Sequence, residues 1–358
     1  MSNVEVKMKT AVLLSGGVDS SVALRLLRDD GHHDLTAFYL KIWLEDEVSF
    51  LGECPWEDDL RYAREICERA GVPLEIVPLQ TEYYQRVVTY ALDELRQGRT
   101  PSPDIFCNER IKFGAFFERV DASFTHVATG HYARVREENG SCYLLRGVDP
   151  VKDQTYFLSH LRPEQLSRCI FPIGHLMKSE VRQLAKEYGF PNCDRKDSQG
   201  ICFLGKIKFD EFVKTHLGER AGPIVEVDSG RQLGEHRGYW FHTIGQRKGL
   251  GLSGGPWFVV RKDTSENVVY VSHAATLSRH GRRSFQVVDP SWITRPPERE
   301  DLEVKLRHSE HLYRCRLSVG SEKALNVTLD ADDTGIAPGQ FTVFYDGEIC
   351  LGGARIAG

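Results

Sequence analysis

The sequence predicts an α/β fold: a parallel sheet with helices on both faces, then a small central domain and a C-terminal β-barrel-like domain. Three observations predict it. Strand-like and helix-like segments alternate through the first half of the 358 residues. A glycine turn joins the first strand directly to the first helix. From about Phe285 onward the pattern is β throughout. The length exceeds one typical core, so several domains are expected. Their boundaries read as 1–208, 209–280 and 281–358.

In order, Thr10 to Leu14 reads as a strand, Ser20 to Asp30 as a helix and Leu35 to Ile42 as a second strand. Glu57 to Ala70 places Leu60, Ala63, Ile66 and Cys67 at helical spacing and stops at Gly71. Pro73 to Leu79 is a short strand, Thr81 to Gln97 a long helix, Ile111 to Val120 another helix, and Phe124 to Thr129 a strand ending in Gly130-His131. Asn139-Gly140 between alternating runs signals a hairpin. Lys178 to Tyr188 is helical and closes at Gly189, and Phe209 to Leu217 precedes glycine-rich β sequence through about Ser272. Turn signals follow at Asp332-Asp333 and Asp346-Gly347. In such a sheet, ligands sit beyond the carboxyl ends of the strands, where the glycine loop and Thr129-Gly130-His131 both fall.

Composition excludes several classes. No apolar run approaches a membrane span. Met1 to Thr10 has neither an apolar signal core nor transit-peptide character, so the expectation is a cytoplasmic protein, or an organellar one already processed. The formal charge of −5 weighs against a wholly basic nucleic-acid binder. The excess is uneven, however. Acids crowd between Glu45 and Asp59, while cations cluster at Arg195-Lys196, Lys206 to Lys208, Arg247-Lys248 and Arg279 to Arg283. A local patch would suffice for RNA. Nine cysteines, with no C-x-x-C pair, fit neither a structural zinc site nor a disulfide framework.

The chemistry concentrates in three segments. Ser15-Gly16-Gly17-Val18-Asp19-Ser20-Ser21 follows a strand and opens a helix, aiming backbone N–H groups at one spot, as phosphate binding requires. Its spacing is neither that of an ordinary P-loop nor that of a dinucleotide fold. Thr100 to Phe113 places Cys107 at the start of a predicted helix after a double-proline turn, where a helix N-terminus favours thiolate. Asp197 to Gly205 carries Cys202 in a polar, glycine-flanked stretch able to expose its thiol. Taken singly, each cysteine reads equally well as structural.

The glycine loop resembles the SGGxDS loop of the ATP pyrophosphatase (PP-loop) superfamily. Together with Cys107 and Cys202, the chain resembles the tRNA-specific 2-thiouridylases (the MnmA/TrmU family) over nearly its whole length. Ala128 to Arg134, Lys152 to Leu158, Thr243 to Gly251, Pro338-Gly339-Gln340 and Cys350 to Gly353 carry the likeness in the same order. The resemblance implies ATP bound by Leu13, Leu14, Ser15, Gly16, Gly17, Val18, Asp19 and Ser20, with Leu40 and Gly130 at the adenine end and Asp19 organising Mg2+ and the phosphates. It implies adenylation of C2 of uridine 34 in tRNA, followed by transfer of sulfur from a persulfide on Cys202 with Cys107 as its partner thiol. Implied tRNA contacts are Ser102, Pro103, Asp104, His131, Lys152, Asp153, Gln154, Arg307, His308 and Gln340. Implied partners are tRNAs of Lys/Glu/Gln type and a sulfur donor, either a cysteine desulfurase or a relay protein. Two departures stand out. Ser102 replaces a common Asn, losing amide hydrogen bonds to the base. Leu40 replaces a common Met of similar volume.

Three other readings compete. A PP-loop ligase or amidotransferase would leave both cysteines idle. An iron–sulfur-dependent thiolase would ligate its cluster through Cys107, Cys202 and Asp104, which is chemically allowed but not favoured. A noncatalytic RNA-binding protein would have no use for Asp19 and the two thiols.

Overall fold

The computed structural model describes residues 9–42, 56–197, 209–320 and 324–357. Its first sheet has the order β3-β2-β1-β4-β7, built from β1 (Lys9–Leu13), β2 (Leu35–Lys41), β3 (Leu74–Pro78), β4 (Phe124–Ala128) and β7 (Cys169–Ile170). Every pairing in it is parallel. Alternate residues feed two cores. Ala11, Leu13 and Phe38 join one apolar cluster, while Val12, Leu14, Ala37 and Tyr39 join the other. That two-residue period is what a strand covered on both faces requires.

Helices cover those faces. Val18–Asp29, Trp56–Ala70 and Lys178–Glu187 bury their apolar sides in the second cluster. On the other side Gln80–Tyr83, Tyr84–Val88 and Thr89–Arg96 run on as one helix. The helix expected from Ile111 begins earlier, at Pro103. Pro103–Phe106, Cys107–Ala115 and Phe116–Arg119 are continuous, with wider π-type turns in the middle. Proline at the first helical position fits that start, because its φ is already helical and its missing N–H would have had no partner. The Gln165 amide donates to the carbonyls of Glu109 and Phe113, at 2.8 and 2.7 Å, which gives the widened turns an external partner.

The hairpin forms as expected. β5 (Ala133–Glu138) and β6 (Ser141–Arg146) flank Asn139 at φ 51° and Gly140 at φ 76°. Both turn residues are left-handed, as a tight primed turn demands. Its placement is not legible locally, because β6 pairs with β17 (Ile349–Ile356) of the C-terminal unit. There β12 (Arg282–Trp292), β15 (Leu325–Asp333), β14 (Tyr313–Val319), β13 (Asp301–Lys305), β16 (Phe341–Asp346) and β17 follow in order, and a β12–β17 pairing closes the barrel. The turn signalled at Asp332-Asp333 falls at the end of β15, which closes at Asp333, where Gly335 N–H donates back to the Asp333 carboxylate. Asp333 points inward and accepts from Arg307 Nη2 and Tyr313 Oη, at 2.7 and 2.6 Å. A carboxylate so partnered can be buried at the end of a strand.

Between these units lies a four-stranded sheet of order β10-β11-β8-β9, formed by Trp257–Asp263, Val268–His273, Gly222–Glu226 and Gln232–His236 respectively. It packs on the parallel-sheet unit through Tyr239, whose hydroxyl donates to the Arg96 carbonyl at 2.5 Å. Among the described residues no helix is long and apolar enough to cross a membrane.

Candidate functional site

The glycine loop sits where β1 ends. Leu14 N–H still donates to Phe38 O at 2.9 Å. Gly16 then turns with φ 72°, and the helix Val18–Asp29 begins with Gly17 as its cap. Ser20 Oγ donates to Gly17 O at 3.1 Å and accepts from Ser15 N–H at 3.2 Å, which stiffens the turn. The first-turn N–H groups of the helix have no acceptor further back, so the loop presents donors to an anion.

Two glycines are sterically required here. A Cβ on Gly16 would strike the Asp59 carbonyl. A Cβ on Gly130 would lie 2.6 Å from Ser20 N and 2.8 Å from Asp19 C. The end of β4 therefore presses against the loop at the end of β1, and the predicted adenine-side residue meets the predicted phosphate-side residues. Leu40, half-buried near the end of β2, packs against the first apolar cluster.

Around this loop runs a charged network. Asp19 accepts Lys178 Nζ at 2.7 and 2.9 Å and Tyr132 Oη at 3.0 Å. Lys178 also reaches Asp197 at 2.8 Å. Asp197 in turn takes Lys152 and Arg182, each at 2.7 Å. Burial raises the Asp197 carboxyl, but bonds to Lys152 and Lys178 hold it well below the ordinary carboxylate range. Burial and the Asp19 charge push the Tyr132 phenol well up, so it stays a donor.

The stretch leading to Asp197 is laced onto the loop. Asn192 Nδ2 donates to Gly16 O at 2.9 Å and to Ser21 Oγ at 3.0 Å. Arg195 donates to Gly16 O at 3.2 Å and pairs with Asp59. Burial raises the Asp59 carboxyl despite that partner. Cys202 lies outside the described residues, as do Cys54 and the acidic residues before it. The chain departs toward Cys202 from Asp197.

Cys107 differs from its expected setting. It occupies the second turn of the helix and is only 1% exposed. The favourable helix-end field fades within the first turn, so helix position does not stabilise a Cys107 thiolate. Ser102 and Asp104 are half-buried and Pro103 is buried just before it. Ser102 N–H donates to Tyr90 Oη at 3.3 Å. The same helix carries Phe113, whose ring lies 6.3 Å from that of His131.

The predicted tRNA contacts divide. Lys152 joins the network above. Asp153 does not face outward: its carboxylate and the Lys305 ammonium form a fully buried ion pair at 2.9 Å. Thr155 Oγ1 and Gly147 N–H also donate to it, at 2.7 and 3.3 Å. Gln154 Oε1 accepts from Tyr132 N–H at 3.0 Å. His131 is buried between Phe113 and Phe171, bonded to Thr129 Oγ1 at 2.7 Å, and burial keeps it neutral. His308 stacks on Phe157 and meets Asp153 O at 3.3 Å. Arg307 stays nearly half exposed while paired with Asp333. Gln340 is half-buried, and its carbonyl accepts from Ile356 N–H at 2.8 Å.

Lys178, Tyr132 and Asn192 received no role from the sequence, and Arg195 only that of a member of a cation cluster. One signal did exist for Lys178. A cation as the first residue of a helix opposes the helix dipole, and such a local misfit marks a residue retained for another purpose.

Residues 8–206 match the tRNA methyl transferase HUP domain, 210–273 the tRNA methyl transferase PRC-barrel domain, and 282–356 the aminomethyltransferase beta-barrel domain. The tRNA-specific 2-thiouridylase MnmA 1 of Bacteroides thetaiotaomicron is 46% identical over 98% of this chain and 99% of its own. The tRNA-specific 2-thiouridylase MnmA of Porphyromonas gingivalis is 45% identical over the same shares. Among solved structures, the U34-tRNA thiolase NcsA of Methanococcus maripaludis, with its [4Fe-4S] cluster, has 20% identity. Its TM-score is 0.33 over 51% of this chain and 57% of that one, a likeness too slight to support any inference.

Proposed function

This chain belongs to the tRNA-specific 2-thiouridylase family, and from that membership and the loop geometry we infer what its residues do. It is a tRNA-uridine 2-sulfurtransferase that consumes ATP. The N–H groups of the glycine loop bind the triphosphate, Leu40 and Gly130 flank the adenine, and Lys178 beside Asp19 supplies positive charge at the phosphates. Magnesium is the expected divalent ion, held by an Asp19 oxygen together with phosphate and water, and it would neutralise charge on the leaving pyrophosphate. Asp19 fits such an ion because it is half-exposed at the glycine loop, with carboxylate lone pairs left beyond the bonds from Lys178 and Tyr132.

The C2 oxygen of uridine 34 attacks the α-phosphate and pyrophosphate leaves, turning that oxygen into part of a good leaving group. The Cys107 thiolate attacks the Cys202 sulfur of the persulfide, and the terminal sulfur departs as hydrosulfide. Hydrosulfide adds at C2 and expels AMP, leaving 2-thiouridine and a Cys107–Cys202 disulfide. In a second order of events, the terminal sulfur adds first and Cys107 resolves the adduct. Two cysteines suffice to carry and release the sulfur, so a reaction without an iron–sulfur cluster is preferred. The substrates are tRNAs of Lys/Glu/Gln type, the sulfur comes from a cysteine desulfurase or relay protein, and the reaction is cytoplasmic.

One observation carries this reading. Residues 192–197 are bonded to the glycine loop, so the chain toward Cys202 leaves from beside the ATP site. Five residues of extended chain reach at most about 18 Å, which holds Cys202 within that distance of Asp197. Cys107 is closed to solvent, so this reaction requires the turn over it to open when the base is seated.

The test is mass spectrometry of nucleosides from tRNA incubated with enzyme, ATP, and a cysteine desulfurase with free cysteine as the persulfide source, without added sulfide. Cys107→Ser and Cys202→Ser should each abolish 2-thiouridine while retaining ATP and tRNA binding. Product at the normal rate from either variant would remove the relay.

A further inference from the structure

One segment has no role in the reaction above: the loop from Thr243 to Gly251 in the central unit. It lies in a stretch of unusual charge. From His236 through Lys262 there is no Asp or Glu, yet Arg237, Arg247, Lys248, Arg261 and Lys262 all occur, in a chain of net charge −5.

The loop is braced internally and leaves its cations free. Gln246 Oε1 accepts from Thr243 N–H at 2.8 Å, and its amide donates to Lys248 O at 3.0 Å. Gly245 N–H donates to Val259 O at 2.8 Å. Arg247 and Lys248 are exposed and form no ion pair among the described residues. Arg237 and Arg307, in contrast, are each matched to carboxylates. Beside Arg247 a cavity of about 450 Å³ opens, walled by Leu250, Pro256 and Trp257.

Position supplies the second argument. Thr243 Oγ1 lies 3.3 Å from Thr100 Oγ1, two residues before the Ser102-Pro103-Asp104 turn. Gly245 is pressed against Gly335, where an added Cβ would sit 3.0 Å from the neighbour's Cα. Gly335 itself abuts the Arg307 guanidinium. The loop thus bridges the turn that leads into the Cys107 helix and the barrel edge carrying Arg307 and His308.

We propose that Arg247 and Lys248 bind the phosphate backbone of the substrate RNA between those two points. This rests on the tRNA-thiolating reading and deepens it. A strand that contacts Arg307 and delivers a base toward Cys107 passes over the loop, and unpaired cations on a braced turn suit phosphates spaced along such a strand. An acidic protein partner would need no such alignment with the base-binding turn.

The experiment measures tRNA affinity from 50 to 200 mM salt for wild type, for Arg247→Ala/Lys248→Ala, and for a control, Arg64→Ala/Lys186→Ala. The control removes two exposed cations from helices on the opposite side of the first sheet. Each lost phosphate contact on a single strand lowers the salt slope by about 0.7, so the double loop variant should lose about 1.4. Its deficit should then be about sevenfold larger at 50 mM than at 200 mM salt, with ATP affinity unchanged. The control should keep the wild-type slope. A loop variant with the wild-type slope, in an enzyme that still thiolates tRNA, overturns this proposal and leaves the reaction standing. A wild-type protein that binds no tRNA overturns both.

Discussion

Lys305→Met should destabilise the joint between the catalytic unit and the barrel. Lys305 on β13 and Asp153 on the catalytic unit are both fully buried, 2.9 Å apart. Burial alone would raise the Asp153 carboxyl, but the Lys305 charge and hydrogen bonds from Lys305 and Thr155 bring it below its ordinary value. Removing the lysine strands a carboxylate whose other cation, Arg146, is 3.4 Å away. Breaking a buried pair from one side costs about 3–5 kcal/mol, and Arg146 argues for the lower end. At about 2–4 °C per kcal/mol, the unit should melt roughly 6–12 °C lower at pH 7. Asp153→Asn should cost a similar amount by stranding Lys305, whereas Lys305→Met/Asp153→Asn should recover most of the loss. The sign with pH follows from linkage. A depressed carboxyl stabilises the fold above its unfolded value near 3.8, and that contribution vanishes as pH falls through the still lower folded value. The gap between wild type and Lys305→Met should therefore be widest at neutral pH and narrow below about pH 4. Thermal unfolding followed by circular dichroism reads all four proteins. Single variants within 2 °C of wild type, or a double variant no better than the worse single, would refute the reasoning.

Two further outcomes concern the ATP site. Gly130→Ala drives a methyl group to within 2.6 Å of the Ser20 backbone, so ATP affinity by calorimetry should fall at least about tenfold, or 1.4 kcal/mol, while tRNA binding persists. Unchanged ATP affinity would show that the loop tolerates displacement. Lys178→Met removes the cation shared by Asp19 and Asp197, and tRNA-dependent exchange of pyrophosphate into ATP should drop by about 10²-fold or more. Exchange at the wild-type rate would exclude Lys178 from the phosphate site.

Local sequence determined a good deal. The strand, glycine turn and helix around Ser15 to Ser20, the tight turn at Asn139-Gly140 and the switch to β pattern depend on neighbours in the chain, on φ and on short apolar periods. Such signals survive without knowledge of the rest of the molecule. Tertiary packing decided what those signals cannot encode. It buried Asp153, which the resemblance implied as a tRNA contact, against Lys305, because a charge can leave water only where a distant partner awaits it. It widened the Cys107 helix onto Gln165, added the β5–β6 hairpin to the barrel, and gathered Lys178 and Asp197 beside Asp19. Each of these joins residues far apart in sequence, and only the closed packing of several units brings them within hydrogen-bonding range.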